Sequence, residues 1–394
     1  GSGGPALRVL GGGPAASDTL EIEGDNDGSD AFTYLPGDSD GSGEVVLDGD
    51  GTAFEGIEAL TLDGGGGDGT DTLTASGTGD GEAFTLDTTA GANAADLWIG
   101  SYAPISLTGF GTDDSTITLN GLGGDDSFSV THANDWDFAT VNIDGGAPSA
   151  SDSFDLIGTG SDDVIVWTPT DDNAGTLEVT SGLVSNTYEL TDIESAEVDG
   201  GGGADSLSAT TETATITPGP DAGSGLIEDE ASGASRLALS YGDVETTTIS
   251  GTTATVAGLT QGGDEVTVDL DSGEVTVNGN TTDLSGFSSV ILDLLGGNDA
   301  VTVLNQTGGA FALTINGGEP GTGSDSVTFQ SDGAASVDVA AEEVTEGGNT
   351  VSLSDVEVLT VEGSDDDTNP DAFEVTGYGT ASDLETLILD GADT

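Results

Sequence analysis

The sequence predicts an all-β fold, most simply a parallel β-solenoid (β-helix) with inserted hairpins. Short runs of Thr, Val, Ile and Leu alternate with polar residues at period two, as in Thr116-Ile-Thr-Leu-Asn120 and Glu265-Val-Thr-Val-Asp-Leu270. Loops rich in Gly, Asp, Asn and Ser separate these runs, and 66 glycines supply many turn positions. No long stretch keeps the apolar period of an amphipathic helix.

One strand–loop–strand unit recurs along the chain. Its consensus is an apolar-x-apolar strand ending in Asp or Asn, then a glycine loop, then Asp before a second alternating strand. Copies begin at Leu7, Leu60, Ile117, Val141, Ala196, Val290, Leu313, Val358 and Leu387. Such self-similarity is typical of solenoids, because each coil completes its core only against its neighbours.

The spacing of the strand-ending Asp and Asn residues indicates the size of a coil. The step is 24 residues from Asn120 to Asp144 and 23 from Asp293 to Asn316, and a step near 23 fits one coil. Two longer steps, of 57 residues (120 − 63) and 55 residues (199 − 144), fit a coil with an inserted hairpin, or two or more coils. A string of small β-sandwich domains is the alternative, because short, evenly spaced strands also build sandwiches.

The repeat pattern divides the chain into three regions. Residues 1–209 form an amino-terminal β-repeat region, and residues 284–394 form an open-ended carboxy-terminal one. Residues 210–283 break the pattern, include Pro218-Gly-Pro220, and are interpreted as an inserted β region. The last copy stops where an apolar strand is expected, so either a longer chain or the next subunit would supply that strand.

The charge of the chain is extreme. There are 74 acidic residues against two basic ones, and the formal net charge is −72. The neutralising charge must come from solution, as divalent ions, high salt or a basic partner, because the chain has too few cations of its own. Nucleic acid is not expected as a partner, since a chain this acidic repels phosphate. No apolar run approaches the roughly 20 residues of a membrane span, so the chain is not expected to cross a membrane.

Two loops match the nonapeptide Gly-Gly-x-Gly-x-Asp-x-apolar-x at every fixed position, at residues 66–74 and 200–208. The loops at 121–129 and 294–302 lack one and two of these glycines. The motif resembles the haemolysin-type (RTX) calcium-binding repeat, a parallel β-roll, and the whole chain looks like large acidic repetitive bacterial surface proteins. The resemblance implies that Asp71, Asp126, Asp205 and Asp299 bind Ca²⁺. In that family the nonapeptides run in tandem, whereas here distant loops could share an ion only if coils stack them.

The predicted calcium ligands include both ends of the glycine loops, because Ca²⁺ prefers carboxylate and amide oxygens. They are Asp63, Asp68, Asp71, Asn120, Asp125, Asp126, Asp144, Asp152, Asp199, Asp205, Asp293, Asp299, Asn316 and Asp325. For any single loop the alternative is a turn without metal, in which Asp or Asn caps its own backbone and Gly supplies a positive φ.

Catalysis has little support in the sequence. His132 is the only histidine, so a pair of His ligands is excluded and a Ser-His-Asp triad would depend on this residue. We predict no catalytic residue. Asn280 and Asn305 begin glycosylation sequons, a motif of low specificity.

The sequence therefore predicts a non-enzymatic, extracellular or cell-surface structural protein. We expect a subunit of a surface layer (S-layer), filament or matrix that binds Ca²⁺ and assembles head to tail as a homo-polymer. The alternatives are an adhesin or carbohydrate-binding module, in which Trp98, Trp136 or Trp167 stacks on surface glycans, and a polysaccharide-active enzyme.

Overall fold

The computed structural model describes residues 7–12, 17–25, 28–66, 69–110, 115–133, 136, 138–146, 151–259, 262–305, 309–320, 324–363, 372–377 and 383–391. Their regular structure is entirely β-strand. No helix that could cross a membrane is found in this part of the chain.

The first 18 strands are β1 (Leu7–Leu10), β2 (Thr19–Glu23), β3 (Ala31–Pro36), β4 (Gly43–Leu47), β5 (Asp50–Glu55), β6 (Ala59–Asp63), β7 (Thr72–Ser76), β8 (Ala83–Gly91), β9 (Ala94–Ile99), β10 (Ile105–Thr108), β11 (Thr116–Asn120), β12 (Ser127–Thr131), β13 (Thr140–Asp144), β14 (Ser153–Ile157), β15 (Asp163–Asp171), β16 (Ala174–Ser181), β17 (Val184–Thr191) and β18 (Ser195–Asp199).

The remaining strands are β19 (Ser206–Thr210), β20 (Thr213–Pro218), β21 (Gly225–Ala231), β22 (Ala234–Ser235), β23 (Leu239–Gly242), β24 (Thr246–Ser250), β25 (Thr253–Ala257), β26 (Glu265–Asp269), β27 (Glu274–Val277), β28 (Asn280–Gly286), β29 (Ser289–Asp293), β30 (Gly296–Gly297), β31 (Ala300–Asn305), β32 (Ala312–Asn316), β33 (Glu319–Pro320), β34 (Ser326–Ser331), β35 (Ala334–Asp338), β36 (Glu343–Glu346), β37 (Asn349–Ser354), β38 (Val358–Glu362), β39 (Ala372–Thr376) and β40 (Thr386–Asp390).

The chain divides into two compact units. Unit 1 is Gly1–Ser206 with Arg236–Asp243, and unit 2 is Leu207–Ser235 with Val244–Thr394. The three regions inferred from the repeat pattern stay a prediction.

In unit 1 the chain alternates between two mostly parallel sheets. We call them sheet A, which contains β7, β11 and β13 side by side, and sheet B, which contains β8, β12 and β14. Equivalent residues of successive coils lie in register, as Asn120 lies beside Asp144 and Phe128 beside Phe154. The 24-residue step in the sequence is therefore one coil.

Unit 2 repeats this arrangement. Its sheet A contains the parallel series β26, β31, β34, β38 and β40, and its sheet B contains β20, β25, β29, β32 and β37. Asp293 lies beside Asn316 in this second series, so the 23-residue step is also one coil.

Three-stranded antiparallel meanders replace a single strand in some coils. In unit 1 they are β3–β5 and β15–β17 in sheet A and β8–β10 in sheet B. Unit 2 has β26–β28 in sheet A and β35–β37 in sheet B. Two meanders of unit 1, β8–β10 and β15–β17, lie within the two long sequence steps. The prediction of an all-β, solenoid-type fold with inserted hairpins is confirmed.

Alternation within each strand produces the core. In β11 the side chains of Ile117 and Leu119 are fully buried between the sheets, while Thr116, Thr118 and Asn120 face outward. Burial of each such aliphatic side chain contributes about 1.5–3 kcal/mol.

Parallel register also stacks like residues on one another across the coils. The rings of Phe84 and Phe128 lie directly opposite in β8 and β12, with centroids 4.7 Å apart. Phe128→Ala would remove one ring of this pair and cost about 3–5 kcal/mol.

Candidate functional site

In unit 1, four carboxylate residues each stand one position before a strand of sheet B. They are Glu82, Asp126, Asp152 and Glu194, which precede β8, β12, β14 and β18. The backbone N–H of each of the first three donates a hydrogen bond of 2.7 Å to a carboxylate oxygen of the next residue in the series. We call these four residues the unit 1 ladder.

Unit 2 contains a second series with the same connectivity, before strands of sheet A. Its members are Asp264, Asp299, Asp325 and Glu357, which precede β26, β31, β34 and β38. The three backbone N–H groups donate to the next carboxylate over 2.7, 2.8 and 2.7 Å. These residues form the unit 2 ladder.

The ladders continue inter-coil pairing beyond the ends of the strands. An N–H buried between coils needs an acceptor, and the carboxylate of the following coil supplies it. A hydrogen bond to a charged group contributes about 1.5–3 kcal/mol net. The same contact occurs outside the two ladders, from the N–H of Asp30 to Asp71 over 3.0 Å and from that of Asp163 to Asp205 over 2.7 Å.

The buried carboxylate of the loop explains why a glycine follows the first strand of the repeat. A Cβ on Gly121 would lie 2.7 Å from the carbonyl oxygen of Gly145 and closer still to Oδ2 of Asp126. The same steric conflict, with the carboxylate of the loop and a carbonyl of the next coil, occurs at several equivalent glycines. They are Gly145, Gly158, Gly200, Gly258 and Gly317. Gly and Asp of the motif are therefore sterically coupled.

The Asp and Asn residues that end strands have a different role. Their Oδ1 atoms accept the backbone N–H two residues later, over 2.8–3.2 Å. The residues with this contact are Asp63, Asn120, Asp144, Asp199 and Asn316. These are Asx turns, in which the side chain fixes the start of the glycine loop.

The structure brings together only part of the predicted ligand set. In unit 1, Asn120 and Asp144 are neighbours at the strand ends, and Asp126 and Asp152 are neighbours in the ladder. Unit 2 has the same two pairs. They are Asp293 with Asn316 and Asp299 with Asp325.

The other members of the predicted set are divided among different places. Asp63 and Asp199 lie in sheet B, beside Thr108 and Ile157 respectively. Asp125 is exposed, and Asp68 lies outside the described residues.

Several residues of the ladders are missing from the predicted set. They are Glu82, Glu194, Asp264 and Glu357, together with the related Asp30 and Asp163. The consensus required Asp after a glycine loop, and Glu82, Glu194 and Glu357 have Glu instead. A search for any acidic residue directly before an alternating strand, or at its first position, would have found all six.

Burial and neighbouring charge weaken the acidity of one buried Asp in each ladder. Burial, together with the charges of Asp152, Glu82 and Asp125, raises the pKa of Asp126 to about 6, although the hydrogen bond from the backbone N–H of Glu82 lowers it. In unit 2, burial raises the pKa of Asp299 to about 6, with contributions from Asp325 and Asp264.

One oxygen of these carboxylates remains without a hydrogen-bond partner. Within the described residues this holds for Oδ2 of Asp126, Asp299 and Asp325, each about 1% exposed as a residue. An unsatisfied buried acceptor costs about 1–3 kcal/mol, and a proton or a cation would relieve the cost.

Near each ladder, a leucine with a positive φ lies in the loop that precedes a buried carboxylate. The φ of Leu122 is 73° and that of Leu295 is 61°, a region where bulky residues are rare and strained. The carbonyl oxygens of Leu122 and Leu295 lie beside Gly146 and Gly318 of the adjacent coil. The two loops thus share the same uncommon backbone conformation, and in each of them the leucine carbonyl lies beside the next loop.

The donor chemistry of these loops fits a calcium ion. Buried carboxylate oxygens and main-chain carbonyls are the hard ligands that Ca²⁺ prefers. In the described part of the chain, no three His, Asp or Glu side chains form a metal-binding group. An ion here would therefore take one or two carboxylates and complete its shell with backbone carbonyls and water.

No protein-family model matches this chain. No curated protein sequence matches it significantly. The resemblance to RTX repeats stays a prediction that rests on the nonapeptide.

The aromatic candidates differ in exposure. Trp136 and Trp167 are buried, whereas Trp98 on β9 is 38% exposed. The side chain of His132 is also buried, and its Nδ1 lies 2.9 Å from the hydroxyl of Tyr188. Burial lowers the pKa of His132, which keeps the ring neutral.

The two sequon asparagines are structural. Both side chains are largely buried. Asn280 donates to the carbonyl of Gly219 and accepts from the N–H of Gly223, over 2.8 and 2.9 Å. Asn305 donates to Glu346 over 2.7 Å. Glycosylation of either residue would require this part of the fold to open.

Proposed function

We propose that this chain is a non-enzymatic extracellular structural protein, a calcium-stiffened β-solenoid segment of a surface layer, filament or matrix. The observation that carries the proposal is the pair of ladders, in which the carboxylate of one coil accepts the backbone N–H of the buried Asp of the preceding coil, while Oδ2 of Asp126, Asp299 and Asp325 has no hydrogen-bond partner. A net charge of −72 supports it, because compaction of such a chain calls for counterions.

In unit 1, Asp126 and Asp152 with the carbonyl of Leu122 would hold the ion. In unit 2, Asp299 and Asp325 with the carbonyl of Leu295 would hold it. Calcium would supply positive charge between carboxylates that otherwise repel one another. The chain's own part is to bury these oxygens, to fix them through ladder hydrogen bonds and to hold the loops in register.

Calcium at these loops would tie each coil to the next. An ion that binds the native state and not the unfolded chain stabilises it by about 2.7 kcal/mol at a concentration of 100 times Kd. Because the ladders lie at loops between strands, this energy would oppose separation of neighbouring coils. That is the mechanical property of a stiff matrix subunit.

We further propose that the chain assembles head to tail with a second copy. On β40, Leu389 is 40% exposed, although it pairs with Val361 of β38, which is fully buried. On β1, Leu7 is 58% exposed. Exposed apolar side chains on outermost strands favour pairing with another strand. A continuation of the same polypeptide could pair with these strands instead of a second copy, and the experiment below distinguishes the two arrangements.

The proposal is tested by thermal unfolding, sedimentation and negative-stain electron microscopy in CaCl₂ and in EGTA. We expect calcium to raise Tm and to produce filaments or sheets whose length depends on protein concentration. Unchanged Tm and unchanged particles in EGTA would overturn the calcium mechanism. A Tm that depends on calcium, together with a monomer at all protein concentrations, would overturn only the proposed assembly. It would indicate that a continuation of the polypeptide covers the outermost strands.

A second candidate function is an adhesin or carbohydrate-binding module. The half-exposed indole of Trp98 favours it, because aromatic faces stack on sugar rings. A glycan array would detect this activity, and specific binding that is lost in Trp98→Ala would support it. Absence of glycan binding by the folded, calcium-loaded protein would reject it.

A further inference from the structure

A buried cluster of polar side chains in unit 2 joins two neighbouring coils. Asn305 ends β31 and Ser331 ends β34, and the two residues lie directly opposite each other in the parallel register of sheet A. Each of them is only 3% exposed. Glu346, at the end of β36, is 8% exposed and contacts both side chains. We call these three residues, together with Asn349 at the start of β37, the polar cluster.

The carboxylate of Glu346 bridges the two opposite side chains. Oγ of Ser331 lies 2.8 Å from Oε1, and Nδ2 of Asn305 donates to Oε2 over 2.7 Å. The hydroxyl also lies 3.1 Å from the carbonyl oxygen of Gly333, but the carboxylate is the closer and stronger acceptor. Packing alone does not explain a carboxylate here, because both of these partners are neutral and an apolar group would be buried at lower cost.

The hydrogen bonds fix the orientation of the Asn305 amide. An ionised carboxylate can only accept, so Nδ2 of Asn305 faces Glu346 and the carbonyl oxygen Oδ1 faces away from it. On that other side, Nδ2 of Asn349 donates to Oδ1 of Asn305 over 2.6 Å. Asn349 is held in turn by the backbone N–H of Gly309, which donates to its Oδ1 over 2.8 Å. A donor at the carbonyl oxygen makes the amide carbon more electrophilic.

Other buried asparagines in the described part of the chain have different surroundings. Asn186 donates to two main-chain carbonyls, and Asn280 exchanges hydrogen bonds with main-chain groups. Asn305 instead has a hydroxyl opposite it, a carboxylate at its nitrogen and an amide donor at its oxygen. These are the nucleophile, the base and the oxyanion donor of an acyl transfer.

We propose that Ser331 and Asn305 form an ester bond that covalently links the two coils. Oγ of Ser331 attacks Cγ of Asn305 while Glu346 accepts the hydroxyl proton. Nδ2 of Asn349 stabilises the negative charge that develops on Oδ1 of Asn305. Glu346 then passes the proton to Nδ2 of Asn305, the Cγ–Nδ2 bond breaks, and ammonia leaves. One C–O bond thus replaces one C–N bond, and Glu346 returns to its carboxylate form.

The fold favours this reaction in two ways. The reacting groups belong to one folded chain and are already in contact through Glu346, so no translational entropy is lost on the way to the transition state. Burial excludes the water that would hydrolyse the ester, whereas the released ammonia is diluted into solvent.

The ester would have the role that disulfides have in other proteins, because it would keep β31 and β34 from separating in a chain without cysteine. The reaction occurs once in each chain and acts on no external substrate. It is therefore compatible with a non-enzymatic structural protein, and it depends neither on calcium nor on assembly.

The test is the intact mass of the purified full chain, followed by tandem mass spectrometry of a peptic digest. We expect the mass to be lower than that of the sequence by one ammonia, and we expect one cross-linked peptide that contains Asn305 and Ser331. Ser331→Ala lacks the nucleophile and Glu346→Gln lacks the base, so both should have the full mass of their sequences. Ser331→Thr keeps a hydroxyl and should still lose ammonia. Ser336→Ala, at a serine of β35 outside the polar cluster, is the control and should behave as the wild type.

A wild-type mass equal to that of the sequence would overturn the proposal. An equal loss of ammonia in Ser331→Ala would also overturn it, because it would indicate that an asparagine cyclises onto its own main chain. So would an ammonia loss that maps to other peptides. Circular dichroism verifies that each variant is folded. Should Ser331→Ala fail to fold, Glu346→Gln tests the same reaction with a side chain of the same shape.

Discussion

The backbone N–H of Asp299 donates a hydrogen bond of 2.8 Å to Oδ1 of Asp325. The two residues are 26 positions apart and stand before neighbouring strands. The contact between Asp126 and Asp152 spans the same 26 positions and measures 2.7 Å. The two ladders thus contain the same contact, in which a buried carboxylate accepts a hydrogen bond from the main chain of the preceding coil.

Substitutions at Asp299 separate the structural role of the carboxylate from its charge. In EGTA, Asp299→Ala should lower the free energy of unfolding by about 1–3 kcal/mol, because the N–H of Asp264 loses its acceptor. Asp299→Asn keeps an oxygen at this place and should cost less. Both variants should lose the stabilisation by calcium, measured by urea unfolding with and without CaCl₂. The exposed Glu274→Gln is the control, and full calcium stabilisation of Asp299→Asn would contradict the proposed ligand.

Glycine substitutions test the coupling between the loop and the ladder. Gly121→Ala should destabilise unit 1 by more than about 2 kcal/mol, because the new Cβ meets both a carboxylate and a carbonyl. Gly160→Ala is the matched control, since nothing lies within 4 Å of a Cβ there, and its effect should stay within about 0.5 kcal/mol. Chemical denaturation measures both. Equal effects would show that the predicted clash is relieved by movement of the loop.

Without divalent ions, the stability of the fold should fall as pH rises from about 4 to about 7. The pKa values of Asp126 and Asp299 are about 6 in the folded chain against 3.8 for an ordinary Asp. The folded state therefore binds more protons than the unfolded state in this window, and stability decreases with rising pH.

The double variant Asp126→Asn with Asp299→Asn isolates this contribution from the rest of the charge. Its unfolding free energy should depend less steeply on pH than that of the wild type, measured in EGTA. Parallel pH profiles for the two proteins would contradict the shifted pKa values. Saturating CaCl₂ should flatten the wild-type profile, because calcium favours the ionised carboxylates.

Added salt should stabilise the calcium-free protein. The net charge of −72 makes repulsion among exposed acids a large unfavourable term, and the Debye length shrinks from about 10 Å at 0.1 M to about 3 Å at 1 M salt. We expect Tm to rise with NaCl in EGTA and to rise less in saturating CaCl₂. Scanning calorimetry across both series measures the difference. An equal rise in the two series would indicate that calcium does not neutralise the buried carboxylates.

Local features of the fold follow directly from the sequence. Strands at Ile117, Val141, Val290 and Leu313 are set by alternation of apolar and polar residues, which depends only on neighbours along the chain. The Asx turns are local too, because the side chain of Asn120 bonds an N–H two residues away. The neighbouring pairs of the candidate site that are one short step apart were also predictable. A coil without an insertion brings the chain back to the adjacent position in the same sheet.

The meanders made the rest of the candidate site unpredictable. Asp63 and Asn120 occupy the same position of the repeat, yet β6 lies in sheet B and β11 in sheet A. The meander β8–β10 occupies one place in the alternation between the sheets, so the next copy of the repeat begins in the other sheet and meets different neighbours. The residues around Asp63 and Asn120 do not indicate this change of sheet.

The sequence alone thus determined the strands, their turns, the coil length and the excess of oxygen ligands, because these depend on short-range alternation and composition. Only the tertiary structure decided which acidic residues become neighbours in a ladder. It placed Glu82 and Asp126 in one ladder and left an oxygen of Asp126 buried without a partner. The physical reason is that burial and inter-coil hydrogen bonds depend on the stacking of strands, which is set by the packing of whole coils.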